Sequence, residues 1–592
     1  MKKNQQNLPT WDLEAIYNTP EAWENEFATL DALAANFIAY RGRLAESAEV
    51  FKAAIEASDA YEMTAEKLYV YAHLKYDENT SVSKNRARLD RISAKFAELA
   101  AGCAWFEPEV MAISDQRMQE LLSDETLAFY KRSIEELLRE KPHTLTEPEE
   151  RLLAALSDVL GGAEDTFSTL NDTDMKFGRL KDETGKSMVL SHGSYGNFLE
   201  SSDRDVRRAA FKRMYNTYTK YRNTLASTLD NTVKKHVASA KIRHYDSALQ
   251  ASLAGDNIPE SIYTGLIDAV HRNLPALFEY FDLRRELLGV DALNMYDLHT
   301  PLISDCSKTY SFEEASELVK AALAPLGSDY VRDAEKAWSE RWIDAPERPG
   351  KRSGAYSSGC YATRPYMLLN YNGTLSDVFA LAHELGHSMH SYYSRQTQHY
   401  HYADYEIFVA EVASTTNELL LADHMLKNCS DPAMRAYLYG KVADEIRATI
   451  YRQTMFAEFE LYIHQSAWDG VPLTADYLCE NYYKLNAEYH GKMDADPLIA
   501  MEWARIPHFY YNFYVYKYAT GMAAAVQLSQ AMLNKVPGSC EKYLGFLKAG
   551  GSKDVLDIML DAGVDLRTPA PVDAALGFFS KTVGDLRREM QR

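Results

Sequence analysis

At 592 residues the chain is long enough to bury a large core and to divide into more than one domain. A formal net charge of −21 argues against nucleic acid as a partner, because phosphate binding needs clustered cations. No window reaches the run of about 18 apolar residues that a membrane span needs, the lysines near the start have no apolar stretch behind them, and six scattered cysteines form no CxxC pair, which together predict a cytoplasmic protein with no membrane contact.

From Trp11 to about Leu170 the pattern is helical. Phe51, Ala54 and Ile55 begin an apolar face that passes Ser58 and reaches Tyr61. Thr146-Glu-Pro-Glu149 is a helix start, with a capping Thr, Pro in the first turn and Glu at the capping-box position. Between Met175 and Ser194 short apolar alternation around Asp182-Glu-Thr-Gly185 predicts a β-hairpin. Helical pattern resumes with Val206, Ala209, Phe211 and Met214, which places a domain boundary near residue 200: a helical N-terminal lobe over 1–200, ending in the hairpin, and a catalytic domain over 201–592. Asp256-Asn-Ile-Pro-Glu260 opens another helix, with Ile262, Leu266 and Val270 on one face.

Pro346 to Gly373 is the least helical stretch, rich in Gly and Tyr, and Pro365-Tyr-Met-Leu-Leu-Asn370 has the profile of a buried strand. Two readings of Ser353–Cys360 stand side by side here. It is either an open strand edge, to which a peptide can add through main-chain hydrogen bonds, or a Gly-rich connection.

Thr374 to Ser394 carries HExxH as His383, Glu384 and His387. On a helix, positions i and i+4 share a face, so both imidazoles can converge on one ion, with Glu384 beside a water bound to it. Thr374 and Asp377 supply a capping box. A Tyr/His-rich connection follows from Tyr392 to Tyr405, and then an almost wholly apolar helix with Glu411 in its middle. A carboxylate in that setting needs a partner, and a zinc ion provides one. His383, His387 and Glu411 then form a ligand set whose fourth position is left to water, the arrangement of a catalytic site, with one Zn2+ per chain. Glu418 either orients a ligand histidine or joins a core ion pair. Further on come a helix over Lys441–Leu461, another over Tyr477–Tyr489, and two closing helices after Ser552 and Thr568. Between them lies Arg505-Ile-Pro-His-Phe-Tyr-Tyr-Asn-Phe-Tyr-Val-Tyr-Lys-Tyr518, whose imidazole and hydroxyls suit binding of a carbonyl oxygen and of the oxyanion formed on water attack.

HELGHSMH, then AEVAST, then IPHFYYNFYVYKYATG resemble oligoendopeptidase F, of the thimet oligopeptidase and neurolysin family of zinc peptidases. WDLEAIY near the start, KRSGAY and MLLNYNGTLSDVF before the HExxH helix, and GVDL with PAPVDAAL near the end extend the likeness over nearly the whole chain. The resemblance implies a mainly α, two-lobed molecule, with a deep channel between the lobes that admits short peptides and a small sheet beside the metal. It implies His383, His387 and Glu411 as metal ligands and Glu384 as general base. It places substrate-binding groups in the 508–518 segment, with His508 assigned to catalysis and Tyr511, Tyr514 and Tyr516 to substrate, and Tyr518 as an alternate. The expected activity is zinc-dependent cleavage of internal bonds in short unstructured peptides. A metzincin is excluded, since His390 and Tyr393 stand where that pattern needs Gly and His. A zinc carboxypeptidase or dipeptidyl carboxypeptidase of similar helical build is the alternative, and a non-catalytic peptide-binding protein a third.

Overall fold

The computed structural model describes residues 8–303 and 308–592; Cys306 lies outside them, and the other five cysteines are free thiols. The fold is mainly α, with five short strands among the described residues. No helix is long and apolar enough to cross a membrane.

The chain forms two compact units, each assembled from three separate stretches. The first takes Met1–Pro142, Ser307–Met425 and Leu528–Gly563; the second takes His143–Cys306, Leu426–Gln527 and Val564–Arg592. Residue 200, where the change of texture suggested a boundary, falls inside the second unit. The predicted hairpin is present there, β1 (Arg179–Lys181) pairing antiparallel with β2 (Ser187–Val189). The following helix His192–Leu199 and strand β1 both pack on Arg204–Lys220, so the chain does not leave one packed body for another at this point.

In the first unit, helix α1 (Ala48–Glu78) starts at Ser47, whose hydroxyl accepts the Val50 N–H. Phe51, Ala54, Ile55 and Tyr61 are buried, as the spacing predicts. Farther along, Leu68, Tyr71 and Leu74 enclose a core with Trp11, Trp23, Tyr366 and Leu368. These last two belong to the central strand of a small sheet, built from β3 (Ile343–Pro346), β4 (Tyr356–Ser358) and β5 (Tyr366–Tyr371) in the order β3-β5-β4. β5 runs parallel to β3 and antiparallel to β4, and is buried along nearly its whole length, as its continuous apolar run requires.

A lysine whose side chain is shut off from solvent ties this sheet together. The Lys351 ammonium lies 3.1 Å from Asp344 and donates to the carbonyls of Asp344, Pro346 and Leu369, joining β3 to β5. The outer side of β3 is covered, with the Ala345 N–H donating to Pro9 O. β4 is the other edge strand of the sheet.

β5 leads directly into α2 (Leu375–Thr397), which carries HExxH. Its capping box is formed: Thr374 N–H donates to Asp377 Oδ2, and Asp377 N–H to Thr374 Oγ1. The helix continues to Thr397, so the first residues of the expected Tyr/His-rich connection belong to it. A 3-10 turn (Ile407–Val409) then precedes α3 (Ala410–Asn428). Glu411 therefore sits in the first turn of α3 and not in its middle, and its side chain is 45% exposed where burial was expected. The apolar residues before it pack as a turn, while Val412 to Asn417 form the buried body of the helix.

The second unit is built around helices. Glu147–Ser168 begins with the predicted Thr146–Glu149 capping box, and Glu260–Arg272 buries Ile262, Leu266 and Val270. The helix expected over Lys441–Leu461 is interrupted by a π turn, Arg447–Tyr451, between Pro432–Ile446 and Arg452–Trp468.

Candidate active site

α2 and α3 bring three potential ligands together in the first unit. His383 Nε2 and His387 Nε2 are 3.1 Å apart, and Glu411 Oε2 lies 3.3 and 3.4 Å from them. No other group of three or more His, Cys, Asp or Glu side chains among the described residues is spaced to hold a metal ion.

The closeness of the two helices has a specific cause. A Cβ on Gly386 would stand 2.5 Å from Ser414 Cα and 2.7 Å from the Ala413 carbonyl, so only glycine fits. Asn417 reinforces the crossing by donating to the Ala382 carbonyl, and the Ser414 hydroxyl donates to Glu411 Oε2. Glu418, one turn beyond Ser414, puts Oε2 3.4 Å from His383 Nδ1. This contact is compatible with both roles open to Glu418, an ion pair and a carboxylate on Nδ1 that orients the ring.

Electrostatics follow from this packing. Burial alone would lower the His383 pKa, but its hydrogen bonds to Glu411 and Glu418 outweigh that and push it up to about 10. Burial would raise the Glu411 carboxyl, yet the two imidazoles hold it well below the usual carboxylate range. Glu384, 7% exposed, is raised by burial against the opposing pull of both imidazoles. His390 is apart from this group: it is buried, its ring stacks on Tyr405 at 3.6 Å, and burial lowers its pKa to about 3.

β4 reaches the helix through Ser357, whose hydroxyl is 2.8 Å from that of Ser388 on α2. Tyr356, Ser357 and Ser358 are all partly exposed. Ser353–Cys360 thus contains a strand at the edge of the sheet.

The 508–518 segment lies in the second unit. A 3-10 turn, Pro507–Tyr510, presents His508, and Asn512 and Phe513 then adopt left-handed backbone with φ of 52° and 59°. Buried groups hold this unfavourable pair: Phe513 N–H donates to Glu460 Oε1 at 2.6 Å, and Asn512 O accepts from the Ser252 hydroxyl. Beyond it, Tyr511, Tyr514 and Tyr518 gather round His508 with ring centroids 5.6, 6.1 and 5.8 Å away. Tyr518 Oη is 3.4 Å from His508 Nε2. Tyr516 is not part of the cluster. It is fully buried against Tyr263, and Tyr518 takes the place expected for it.

Comparison with known proteins gives this arrangement a family. Residues 197–578 match the model of peptidase family M3, and 109–177 match that of oligopeptidase F. The chain belongs to peptidase family M3. Among its M3 relatives it is 42% identical to oligopeptidase PepF of Bacillus subtilis strain 168, over 98% of this chain and 87% of that one. It is 40% identical to an oligoendopeptidase F homolog of Lactococcus lactis, over 100% and 99%. The crystal structure of oligoendopeptidase-F from Enterococcus faecium superposes with a TM-score of 0.75 at 37% identity, covering 97% of this chain and 99% of that one. As an M3 member of the oligoendopeptidase F type, the chain is a metallopeptidase.

Two features of this M3 site are not named by the sequence reading. Gly386 is one, although a glycine inside a helix that costs about 1 kcal/mol relative to Ala is a signal of close approach. The other is Glu460, whose contact with Phe513 joins residues too distant in sequence for any local pattern to connect.

Proposed function

We propose that the protein is a zinc-dependent endopeptidase that hydrolyses internal bonds of short, unstructured peptides in the cytoplasm. The observation that carries this reading is the spacing of the ligand atoms. Tetrahedral zinc with bonds of about 2.0–2.1 Å has ligand atoms roughly 3.3 Å apart. The three pairs here are 3.1, 3.3 and 3.4 Å apart. His383, His387 and Glu411 would hold the ion, and three protein ligands leave the open position that catalysis needs. When bound, zinc lowers the pKa of a water toward neutrality and polarises the scissile carbonyl.

The protein's own groups supply the rest. Glu384, buried and raised in pKa, accepts the proton of the attacking water and passes it to the leaving amine. His508, whose pKa is lowered by burial and by Arg452, and the hydroxyls of Tyr511, Tyr514 and Tyr518 serve the carbonyl oxygen as its charge develops. The edge of β4 binds substrate main chain through backbone hydrogen bonds, which do not depend on side-chain identity. The free thiols of Cys103, Cys360, Cys429, Cys479 and Cys540 support a reducing compartment.

Cleavage of an internally quenched peptide, with and without chelator, and of its C-terminally amidated twin tests the reading. The expected result is chelator-sensitive cutting of both peptides at an internal bond. Loss of activity on the amidated twin alone would assign the carboxypeptidase reading instead.

A further inference from the structure

The second unit contains a cavity of about 320 Å³ lined by none of the three potential metal ligands. Its wall includes Leu199, Phe211, Leu277, Phe281 and Met455, and three arginines, Arg447, Arg452 and Arg505, with a single carboxylate, Glu502. Arg452 donates to Glu502 Oε1 at 2.7 Å, and Tyr482 to its other oxygen at 2.7 Å, so that carboxylate is engaged. Arg447 lies 3.1 Å from Asp444, but Asp444 also serves the fully buried Arg284 at 3.2 Å.

Among the described residues Arg505 makes no direct ion pair, and Glu502, already engaged by Arg452, acts on it only through space. Its guanidinium rests over the Tyr195 ring at 4.9 Å, makes a long 3.4 Å contact to Tyr215 Oη, and keeps Nε shut off from solvent without a partner. The three lining arginines thus face one lining carboxylate, Glu502, and Arg447 shares Asp444 with Arg284. His299 and His490 do not alter the sum, since burial lowers them to about 3 and about 4; burial lowers His192 in the same direction. A surplus of buried positive charge inside a chain of net charge −21 needs an anion to offset it.

We propose that this cavity binds a small monocarboxylate with an apolar body. The planar fork of Arg505 matches a carboxylate bidentately, and the aliphatic and aromatic wall suits a hydrocarbon or phenyl group. The volume lies at the lower end of the roughly 300–1,000 Å³ typical of small-molecule sites. The surplus positive charge disfavours an ammonium beside the carboxylate, so a simple acid is preferred over a zwitterionic amino acid. None of His383, His387 and Glu411 is among the residues that line the cavity.

Isothermal titration of the intact enzyme with 3-phenylpropionate tests this, with 3-phenylpropionamide and inorganic phosphate as controls. The acid is expected to bind, the amide and phosphate are not, and the signal is expected to persist after zinc is chelated. Arg505→Gln should weaken binding at least tenfold, with folding checked by its melting curve. Arg505→Lys, which keeps the charge but loses the fork, should bind with intermediate affinity. If Arg505→Gln does not fold, Arg505→Lys decides alone. Absence of binding, loss of binding on chelation, equal binding of phosphate, or wild-type affinity in either folded variant would overturn the proposal.

Discussion

Gly386 and Ser414 set the distance between the two helices that carry His383, His387 and Glu411. A Cβ at 386 would lie 2.5 Å from Ser414 Cα, a backbone atom that cannot swing aside. Gly386→Ala is therefore expected to push α2 and α3 apart and move Glu411 away from His383 and His387. Overpacking costs about 1–3 kcal/mol, more than the roughly 1 kcal/mol of helix propensity gained. Zinc affinity should fall about tenfold or more, and the melting temperature should drop. Titration against a zinc buffer and a thermal melt read both, and a variant matching the parent in each would show slack between the helices.

Glu418 is expected to matter through His383. Glu418→Ala should lower zinc affinity or activity about 10–100-fold, the range found when a group that orients a ligand is removed. Glu418→Gln keeps an acceptor for the Nδ1 proton and should recover much of the loss. Equal defects in the two variants would mean that charge matters there and not orientation.

The tyrosines divide by placement. Tyr514 and Tyr518 stand round His508, whereas Tyr516 is buried against Tyr263. Tyr514→Phe or Tyr518→Phe should lower kcat by about tenfold or more, up to the 10²–10³ known for loss of one oxyanion donor. Tyr516→Phe should leave kcat within about twofold. Steady-state kinetics on one peptide separates the three, and a large kcat loss in Tyr516→Phe alone would reverse the assignment.

Glu460 gives a pH prediction. Burial pushes its pKa from 4.5 up to about 8, against the opposing hydrogen bond from Phe513. In the folded protein it is protonated at neutral pH, whereas the unfolded chain ionises above about 4.5. Its contribution to stability is therefore complete below that value and is lost as pH rises toward 8, by up to about 1.4 kcal/mol per pH unit. Glu460→Gln mimics the protonated acid and should remove this dependence. Melting curves at pH 6 and pH 8 should show the variant gaining on the parent as pH rises; a constant difference would contradict the shifted pKa.

Features governed by near neighbours in the chain were legible in the sequence. The capping boxes at Thr146 and Thr374, the hairpin at Asp182–Gly185, the buried strand β5 and the HExxH face all depend on residues within a few positions of each other. Glu411 could be grouped with His383 and His387 but not seen as half-exposed, because an apolar run looks the same whether it forms a 3-10 turn or a helix. Tyr516 and Tyr518 were interchangeable on paper, since the left-handed pair Asn512–Phe513 resets the facing of every residue after it. The composition of the two compact units was hidden because each draws on three separate stretches joined only by long-range packing. For the same reason the carboxylates and arginines of the second unit could not be matched before their contacts were seen.

The central claim is that Glu384 acts as the proton acceptor beside zinc held by His383, His387 and Glu411. Peptide cleavage by Glu384→Gln, with its zinc content measured on the same preparation, tests it most directly. One zinc per chain together with a fall in kcat/KM of at least about 10² is predicted, as removal of a general base requires. Full zinc occupancy with a rate near that of the parent would contradict the account.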